Sequence, residues 1–398
     1  MNIIYYCQHV LGIGHFFRSL EICRALSRHR VTLLTGGPRV PSVTLPDHVH
    51  RVCLPELRMD TDFSGLLAAD AGQSIEAVKR RRAERLYHLV ADRSPDLFIV
   101  ELYPFGRRAF RFELEPVLEG IRKGTFAPCR VVCSLRDILV EKDHTEKYEA
   151  RVIDQLDRYV DALLIHADPR VVRLEDTFGR TADIHIPVIY TGFVTPIPAP
   201  ETRRVVRQRM NMADEDYLVT ASAGGGTVGF RLLETVVHAV KRSVNRGRIR
   251  LEVLSGPYMP DNEYRILDAM ADERVRVRRF DPEFPDLLAA ADLAVGMAGY
   301  NTCMNILAAG IPALVRPFGQ NREQRLRAGR LAEWGRFYVL EDFDLEPQRL
   351  AIRMDQALSA QGPAPVGIDL DGADTSARWL ENWMRDGTYE VPERTFGR

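Results

Sequence analysis

Residues 293–324 constrain the fold more tightly than any other stretch of this 398-residue chain. They read L-A-V-G-M-A-G-Y-N-T-C-M-N-I-L-A-A-G-I-P-A-L-V-R-P-F-G-Q-N-R-E-Q. Leu293–Met297 is an apolar run long enough for one buried strand. Ala298, Gly299 and Tyr300 suit a tight turn, and Asn301 or Thr302 is placed to cap a following helix. Gly310 is a natural terminator for that helix, and Pro312 prevents its continuing. Ala313–Val315 reads as the next strand and 317–324 as a polar loop. Strand, turn, helix, strand is the half-unit of a parallel α/β sheet. Ligands sit at the carboxyl edge of such sheets, and a helix that starts there favours an anion such as phosphate.

The same half-unit opens the chain. Asn2–Cys7 predicts a strand, Q-H-V-L-G-I-G-H a loop, Phe16–Arg28 an amphipathic helix and Val31–Leu34 a second strand. The loop lacks both the third glycine of a dinucleotide fingerprint and the lysine of a P-loop. Further strands are expected at Asp96–Val100, ending at Glu101, and at Arg130–Ser134, followed by Arg136 and Asp137. Another is expected at Asp161–His166. Parallel strand ends share one edge, so His15, with Glu101 and then Asp137 as partners, is the candidate catalytic group. Gly12 and Gly14 would let its loop approach a substrate. Leu57–Gly72 reads as a long loop. The helix Ile75–Val90 carries Lys79, Arg80, Arg81, Arg82 and Arg85, either a solvated face or a contact for an anionic acceptor or a membrane surface.

Tyr190–Pro200 holds three prolines and marks a linker. Beyond it, Tyr217–Ala221 predicts a strand leading into Ser222-Ala223-Gly224-Gly225-Gly226-Thr227 and a helix over Gly229–Ser243, a pattern that suits a backbone cradle for pyrophosphate. Strands at Arg250–Leu254 and Val275–Arg279 follow, then a short helix at Asp286–Ala291. A late helix, Asp374–Asp386, puts Trp379 and Trp383 on one side. The expected division is residues 1–190, a linker at 191–200, a second α/β domain at 201–372 and a terminal helix in 373–398.

A net charge of −1 argues against a nucleic-acid partner. Six cysteines without a C-x-x-C pair suit reduced thiols, not a disulfide framework or a metal site. No cofactor motif is evident. Met1 runs directly into strand-like sequence, and no apolar run reaches the ~18 residues of a membrane span, so a soluble, cytoplasmic protein is expected.

The run A-G-Y-N-T-C-M-N-I-L-A-A-G-I-P, followed by F-G-Q-N-R-E-Q, resembles the donor-binding segment of GT-B glycosyltransferases. It resembles in particular that of the peptidoglycan N-acetylglucosaminyltransferase group, with its S-G-x-x-x-x-x-E-x-x-A-x-G-x-P and glutamine-rich loop. From G-I-G-H onward the chain also resembles a bacterial family of predicted glycosyltransferases, sharing E-L-Y-P-F-G-R-R-A-F-R-F-E-L, C-S-L-R-D-I-L-V-E-K and A-G-Y-N-T. The resemblance implies GT-B architecture: two Rossmann-like α/β domains facing across a cleft, the first on the acceptor side, the second holding the donor, and a terminal helix crossing back. It implies a nucleotide-sugar donor, a UDP-sugar by analogy, and a hydroxyl acceptor, a lipid-linked one among the options. It implies no cofactor and no metal. Donor contacts would come from Gly224, Gly225, Gly226, Thr227, Gly299, Tyr300, Asn301, Thr302, Asn305, Gln320, Asn321 and Gln324. Asn305 stands where the family has a glutamate for the ribose hydroxyls, and it offers a hydrogen bond without charge. G-I-G-H-F-F-R also resembles the G-x-G-H-x-x-R loop of nucleotide-sugar hydrolases, in which His15 would activate water and Arg18 would join the substrate contacts. A non-catalytic nucleotide-sugar binder is the third reading.

Overall fold

The computed structural model describes every residue except 10–11, 39, 41–42, 60–64, 71, 141–143, 320–321, 361–366 and 387–398. The chain forms two compact units, one made of Met1–Val194 with the C-terminal segment from Asp371, the other of Thr195–Leu370.

In the first unit the elements are β1 (Asn2–Tyr6), α1 (Gly14–Ala25), β2 (Arg30–Thr35), β3 (Val49–Cys53), β4 (Leu57–Met59), β5 (Leu66–Ala68), α2 (Ile75–Arg93), β6 (Leu97–Glu101), α3 (Arg111–Arg122), β7 (Arg130–Arg136), α4 (Thr145–Tyr159), β8 (Ala162–His166) and β9 (Val188–Tyr190). Seven strands pair in parallel in the order β3-β2-β1-β6-β7-β8-β9. Helices cover a parallel sheet on both faces, which is why Ile3–Tyr6, Leu97–Glu101 and Ala162–His166 are buried along their whole length. The order turns at β1 and β6, whose outgoing connections lead to opposite sides. A crevice therefore opens between the loops that leave these two strands.

The expected long loop at Leu57–Gly72 instead contains a short antiparallel pair, with Leu57 opposite Ala68. Its polar residues hide the pairing because each strand is only three residues long. The first helix begins at Gly14, so His15 lies inside its opening turn.

The second unit contains α5 (Thr202–Arg209), β10 (Tyr217–Ser222), α6 (Phe230–Arg242), β11 (Ile249–Leu254), α7 (Asp261–Asp268), β12 (Val275–Arg278), α8 (Phe284–Ala290), β13 (Leu293–Met297), α9 (Tyr300–Ala309), β14 (Ala313–Arg316), α10 (Arg322–Ala332), β15 (Phe337–Val339) and α11 (Pro347–Ser359). Its sheet is also wholly parallel, in the order β12-β11-β10-β13-β14-β15, and turns at β10 and β13. Val219, Val236, Leu251, Val295 and Leu350 lie in its core.

The terminal helix α12 (Gly372–Asp386) belongs to the first unit. It packs on α1, with Trp379 and Trp383 stacked 5.0 Å apart and Arg130 lying 4.3 Å from the Trp383 ring centre. An added Cβ at Gly372 would come 2.7 Å from the Phe193 carbonyl, so only glycine allows the helix start to sit against that segment. Among the described residues no helix is long and apolar enough to cross a membrane.

Candidate functional site

In the first unit, the β1–β6 crevice gathers the sequence's catalytic candidate and its partner. His15 and Arg18 are three residues apart in α1 and share one helix face. Both reach Glu101, the last residue of β6: His15 Nδ1 lies 2.6 Å from Glu101 Oε1, and Arg18 Nη2 donates to the same oxygen at 2.6 Å. Arg107 Nε approaches the other carboxylate oxygen, Oε2, at 3.6 Å. Because that carboxylate only accepts, Nδ1 carries the proton and donates it, and the Nε2 lone pair is left for substrate.

The electrostatics keep this imidazole neutral. Burial lowers the His15 pKa to about 4; Glu101 opposes the shift and Arg107 reinforces it. Burial alone would raise the Glu101 pKa, but His15, Arg107 and Arg18 outweigh it and hold the carboxyl well below its usual range. The imidazole is therefore neutral, and the carboxylate beside it charged, throughout the neutral pH range.

Asp137, the second sequence candidate, is buried just past β7; the carboxylate in contact with His15 is that of Glu101. Gly12 has no steric duty, since an added Cβ would meet nothing within 4 Å. Gly14 opens α1.

Sequence reading missed two features. One is Arg107, visible only as the first arginine pair member in F-G-R-R. The other is Arg82, which is not on a solvated face: its side chain is fully buried. Its Nε donates to Glu113 Oε2 at 2.8 Å, Nη2 to Gln8 Oε1 at 2.8 Å, and Nη1 to the carbonyls of Pro55 at 2.6 Å and Gly36 at 3.3 Å. Tyr6 donates to the same glutamate. One guanidinium thus fastens the chain leaving β1, the chain leaving β2 and the entry to the β4–β5 pair. An added Cβ at Gly36 would fall on Arg82 and Gln8. Lys79 pairs with Glu76 and Arg81 with Gln73, while Arg80 and Arg85 are exposed.

In the second unit, the turn point between β10 and β13 brings two glycine segments together. Gly224, Gly226 and Gly229 have φ of +65°, +91° and +109°, values that favour glycine. An added Cβ at Gly226 would come 2.5 Å from the Ser255 carbonyl, and one at Gly256 would fall on the backbone of Gly224–Gly226. Tyr258 N donates to the Gly225 carbonyl at 2.9 Å, and the Ser222 hydroxyl accepts from Gly224 N at 3.1 Å. Gly224 and Thr227 are exposed. The loop is held backbone to backbone and is shaped before any ligand arrives.

The helix α9 starts beside it, and here the capping expectation is corrected. The N-cap is Gly299, in extended conformation, with no side-chain cap hydrogen bond. Asn301 and Thr302 lie inside the helix, where they cannot cap its own start. Thr302 is buried, its hydroxyl 3.9 Å from the Cβ position of Gly224. Arg327 fixes the turn by donating to the Ala298 carbonyl at 3.1 Å while lying 5.7 Å from the Tyr300 ring centre. A helix start without a side-chain cap, next to a glycine loop, is an anion-binding arrangement. Asn305, one turn further along, accepts a hydrogen bond from Thr195 Oγ1 at 2.8 Å through its amide oxygen. Gln324 accepts from Phe318 N at 3.0 Å and so shapes its own loop. Gln320 and Asn321 lie outside the described residues. Among the described residues no group of three or more His, Cys, Asp or Glu side chains is placed to hold a metal ion.

Residues 220–361 match the glycosyltransferase family 28 C-terminal domain. The chain is 37% identical over 222 residues to the UDP-N-acetylglucosamine–N-acetylmuramyl-(pentapeptide) pyrophosphoryl-undecaprenol N-acetylglucosamine transferase of Mycobacterium sp. (strain JLS), covering 54% of this chain and 57% of that protein. It spans somewhat more than half the length of the curated relatives it matches. Among solved structures, the glycotransferase of kitacinnamycin superposes with a TM-score of 0.59 at 16% identity, over 96% of this chain and 99% of that one. Anabaena Alr3699/HepE, solved in complex with UDP-glucose, gives 0.52 at 13% identity over 96% and 95%. At these identities the likeness concerns the fold. The chain thus has the GT-B fold, matches the family 28 C-terminal domain around its paired glycine segments, and over about half its length is similar to the peptidoglycan N-acetylglucosaminyltransferase group.

Proposed function

We propose that this protein transfers a sugar from a nucleoside diphosphate sugar, a UDP-sugar in the first instance, to a hydroxyl acceptor. The observation that carries the reading is the His15–Glu101 contact: a neutral imidazole with Nδ1 engaged by a buried carboxylate and Nε2 making no hydrogen bond among the described residues. An alcohol is a poor nucleophile at neutral pH, so a group that takes its proton as the new bond forms lowers the barrier. The acceptor oxygen bonds to the anomeric carbon, the bond from that carbon to the diphosphate oxygen breaks, and the acceptor proton passes to His15 Nε2. Glu101 stabilises the imidazolium that results. In the second unit, the N–H groups at the start of α9 and the Gly224–Thr227 loop meet the charge that develops on the departing diphosphate. The family 28 match over the segment that contains both supports that placement. This supply of backbone donors makes the transfer independent of added metal, and its rate is expected to be unchanged by a chelator.

The test begins with binding. Nucleoside diphosphate sugars are added to purified protein and melting is followed; saturation at about a hundredfold over Kd stabilises by about 2.7 kcal/mol. If none of the UDP-, GDP- or ADP-sugars raises the melting temperature, the reading fails. The sugar that binds is then incubated without acceptor. Release of free sugar in step with nucleoside diphosphate would favour the hydrolase reading, which Arg18 beside His15 keeps open.

A further inference from the structure

A diphosphate held at the start of α9 brings the pentose attached to it over the next turn of that helix. Asn305 lies three residues past Thr302, about 4.5 Å further along the axis at the ~1.5 Å rise of an α-helix. Residues three apart are neighbours on one helix face. Thr302 sets that face against the strand ends and the glycine loop. Its hydroxyl is 3.9 Å from the Cβ position of Gly224, and its methyl group is 3.5 Å from that of Gly296. Asn305 is half-buried beside it, where a side chain can meet a pentose hydroxyl.

The Asn305 amide is already committed on its oxygen side. Thr195, buried in the segment that opens the second unit, donates its hydroxyl to Asn305 Oδ1 at 2.8 Å. A carboxylate in this place would have two acceptor oxygens, one for Thr195 and one for a ligand, whereas an amide has a single oxygen. What Asn305 still presents is chiefly its Nδ2 donor group. Two further acceptors along this edge are in use as well. Glu323 Oε1 accepts from Arg327 Nη2 at 2.9 Å, and Gln324 Oε1 accepts from Phe318 N at 3.0 Å. Shaped backbone therefore meets the diphosphate, while the pentose meets an amide whose oxygen is taken.

That difference bears on the ribose 2′-hydroxyl. A hydroxyl that donates to a carboxylate makes a charge-assisted bond, and a nucleotide lacking it binds roughly ten- to a hundredfold more weakly. A hydroxyl offered only N–H groups makes a neutral bond in exchange for one to water, and little is gained. The 3′-hydroxyl, present in both pentoses, can take the same N–H. We infer that the nucleotide site of the second unit does not select for the 2′-hydroxyl, so that 2′-deoxyribonucleoside diphosphate sugars are donors on equal terms with their ribose counterparts. The inference rests on the transfer reading above and names the donor class of that same site. Thr195 is its positioning residue, acting through Asn305 by occupying the oxygen that would otherwise accept from the 2′-hydroxyl.

The test compares uridine diphosphate with 2′-deoxyuridine diphosphate, which share base and charge and differ only in that hydroxyl. Each is titrated by calorimetry into the full-length protein, into Asn305→Glu and into Thr195→Val. In wild type, the Kd of the deoxynucleotide is expected to be no more than about threefold above that of the ribonucleotide. Asn305→Glu returns a second acceptor oxygen, and the ratio should rise to about tenfold or more. The added negative charge weakens both nucleotides alike and cancels in the ratio. Thr195→Val frees the amide oxygen, and the ratio should rise about threefold or more over wild type. This second variant adds no charge and keeps the shape of threonine, so it decides the matter if circular dichroism shows that Asn305→Glu has not folded. A Thr195–Asn305 bond with a merely structural role would shift the melting temperature and leave the ratio unchanged. A wild-type ratio above about threefold, or a ratio that rises in neither variant, overturns the inference and leaves the donor site itself in place. Absence of binding by either nucleotide to wild type instead removes the donor reading, and the inference with it.

Discussion

Two arginines and one imidazole share the Glu101 carboxylate, and that sharing sets what His15 can do. Replacing His15 with alanine removes the base and is expected to lower turnover about 10²–10⁴-fold, with donor affinity close to that of wild type. Lost donor affinity at an unchanged saturated rate would make His15 a binding residue. Because the folded pKa lies near 4, below the ordinary 6.5, the base is already free of its proton across pH 5–8. Turnover at saturation should therefore stay flat as pH falls from 8 to about 5 and drop only below that. A profile that already declines near pH 6.5 would show that the working imidazole is not in this environment. Arg82 belongs to the same scale. Its loss strands the buried Glu113 charge, so Arg82→Met is expected to cost about 3–5 kcal/mol, and Arg82→Met/Glu113→Gln clearly less. Denaturant midpoints decide between that order and simple additivity.

At the level of elements, the glycines divide into those that shape a loop and those that do not. Gly226 and Gly256 combine a positive φ with backbone packed where a side chain would go, so alanine at either is expected to cost at least about 1–3 kcal/mol and to weaken nucleotide binding. Gly12→Ala should change stability by less than about 0.5 kcal/mol, as nothing lies near its Cβ position. Equal losses at Gly12 and Gly226, measured by thermal melts, would contradict this division. The two kinds cannot be told apart in the sequence, where both are glycines in loops. The strand–turn–helix–strand units themselves were legible, because strands buried on both faces read as unbroken apolar runs and Gly310 and Pro312 punctuate α9. What was not legible depends on distant partners. Arg82 looks like one of five basic residues on a helix until Glu113 and Gln8 arrive from elsewhere in the chain. The Asn305 amide is committed by Thr195, 110 residues away.

Across the whole molecule, acidic and basic side chains nearly cancel, so the response to pH is set by a few buried groups more than by net charge. Three histidines of the first unit are held neutral, each chiefly by burial: His9 and His15 with pKa lowered to about 4 and His166 to about 3. His9 Nε2 donates to the Pro38 carbonyl, and His166 bridges Ser134 and Thr191, so all three are tied into strand-end loops or the sheet itself. Their unfolded pKa is about 6.5. Below that value the unfolded chain binds protons that the folded chain refuses, so stability is full above pH 6.5 and is lost as pH falls toward 4. Each imidazole contributes a slope of up to about 1.4 kcal/mol per pH unit in that window. The fully buried His166 should count for more than His15, which keeps 16% of its side-chain surface exposed. The Glu101 carboxyl, held below its usual range, adds a loss in the same direction at lower pH. The expected outcome is a melting temperature that is level from pH 8 to 7 and falls steeply from 6.5 to 4.5. The fall should be shallower in a variant that still folds with His166→Gln, because glutamine supplies hydrogen bonds without a titrating proton. A melting temperature independent of pH between 7.5 and 5 would mean that these imidazoles are not buried neutral.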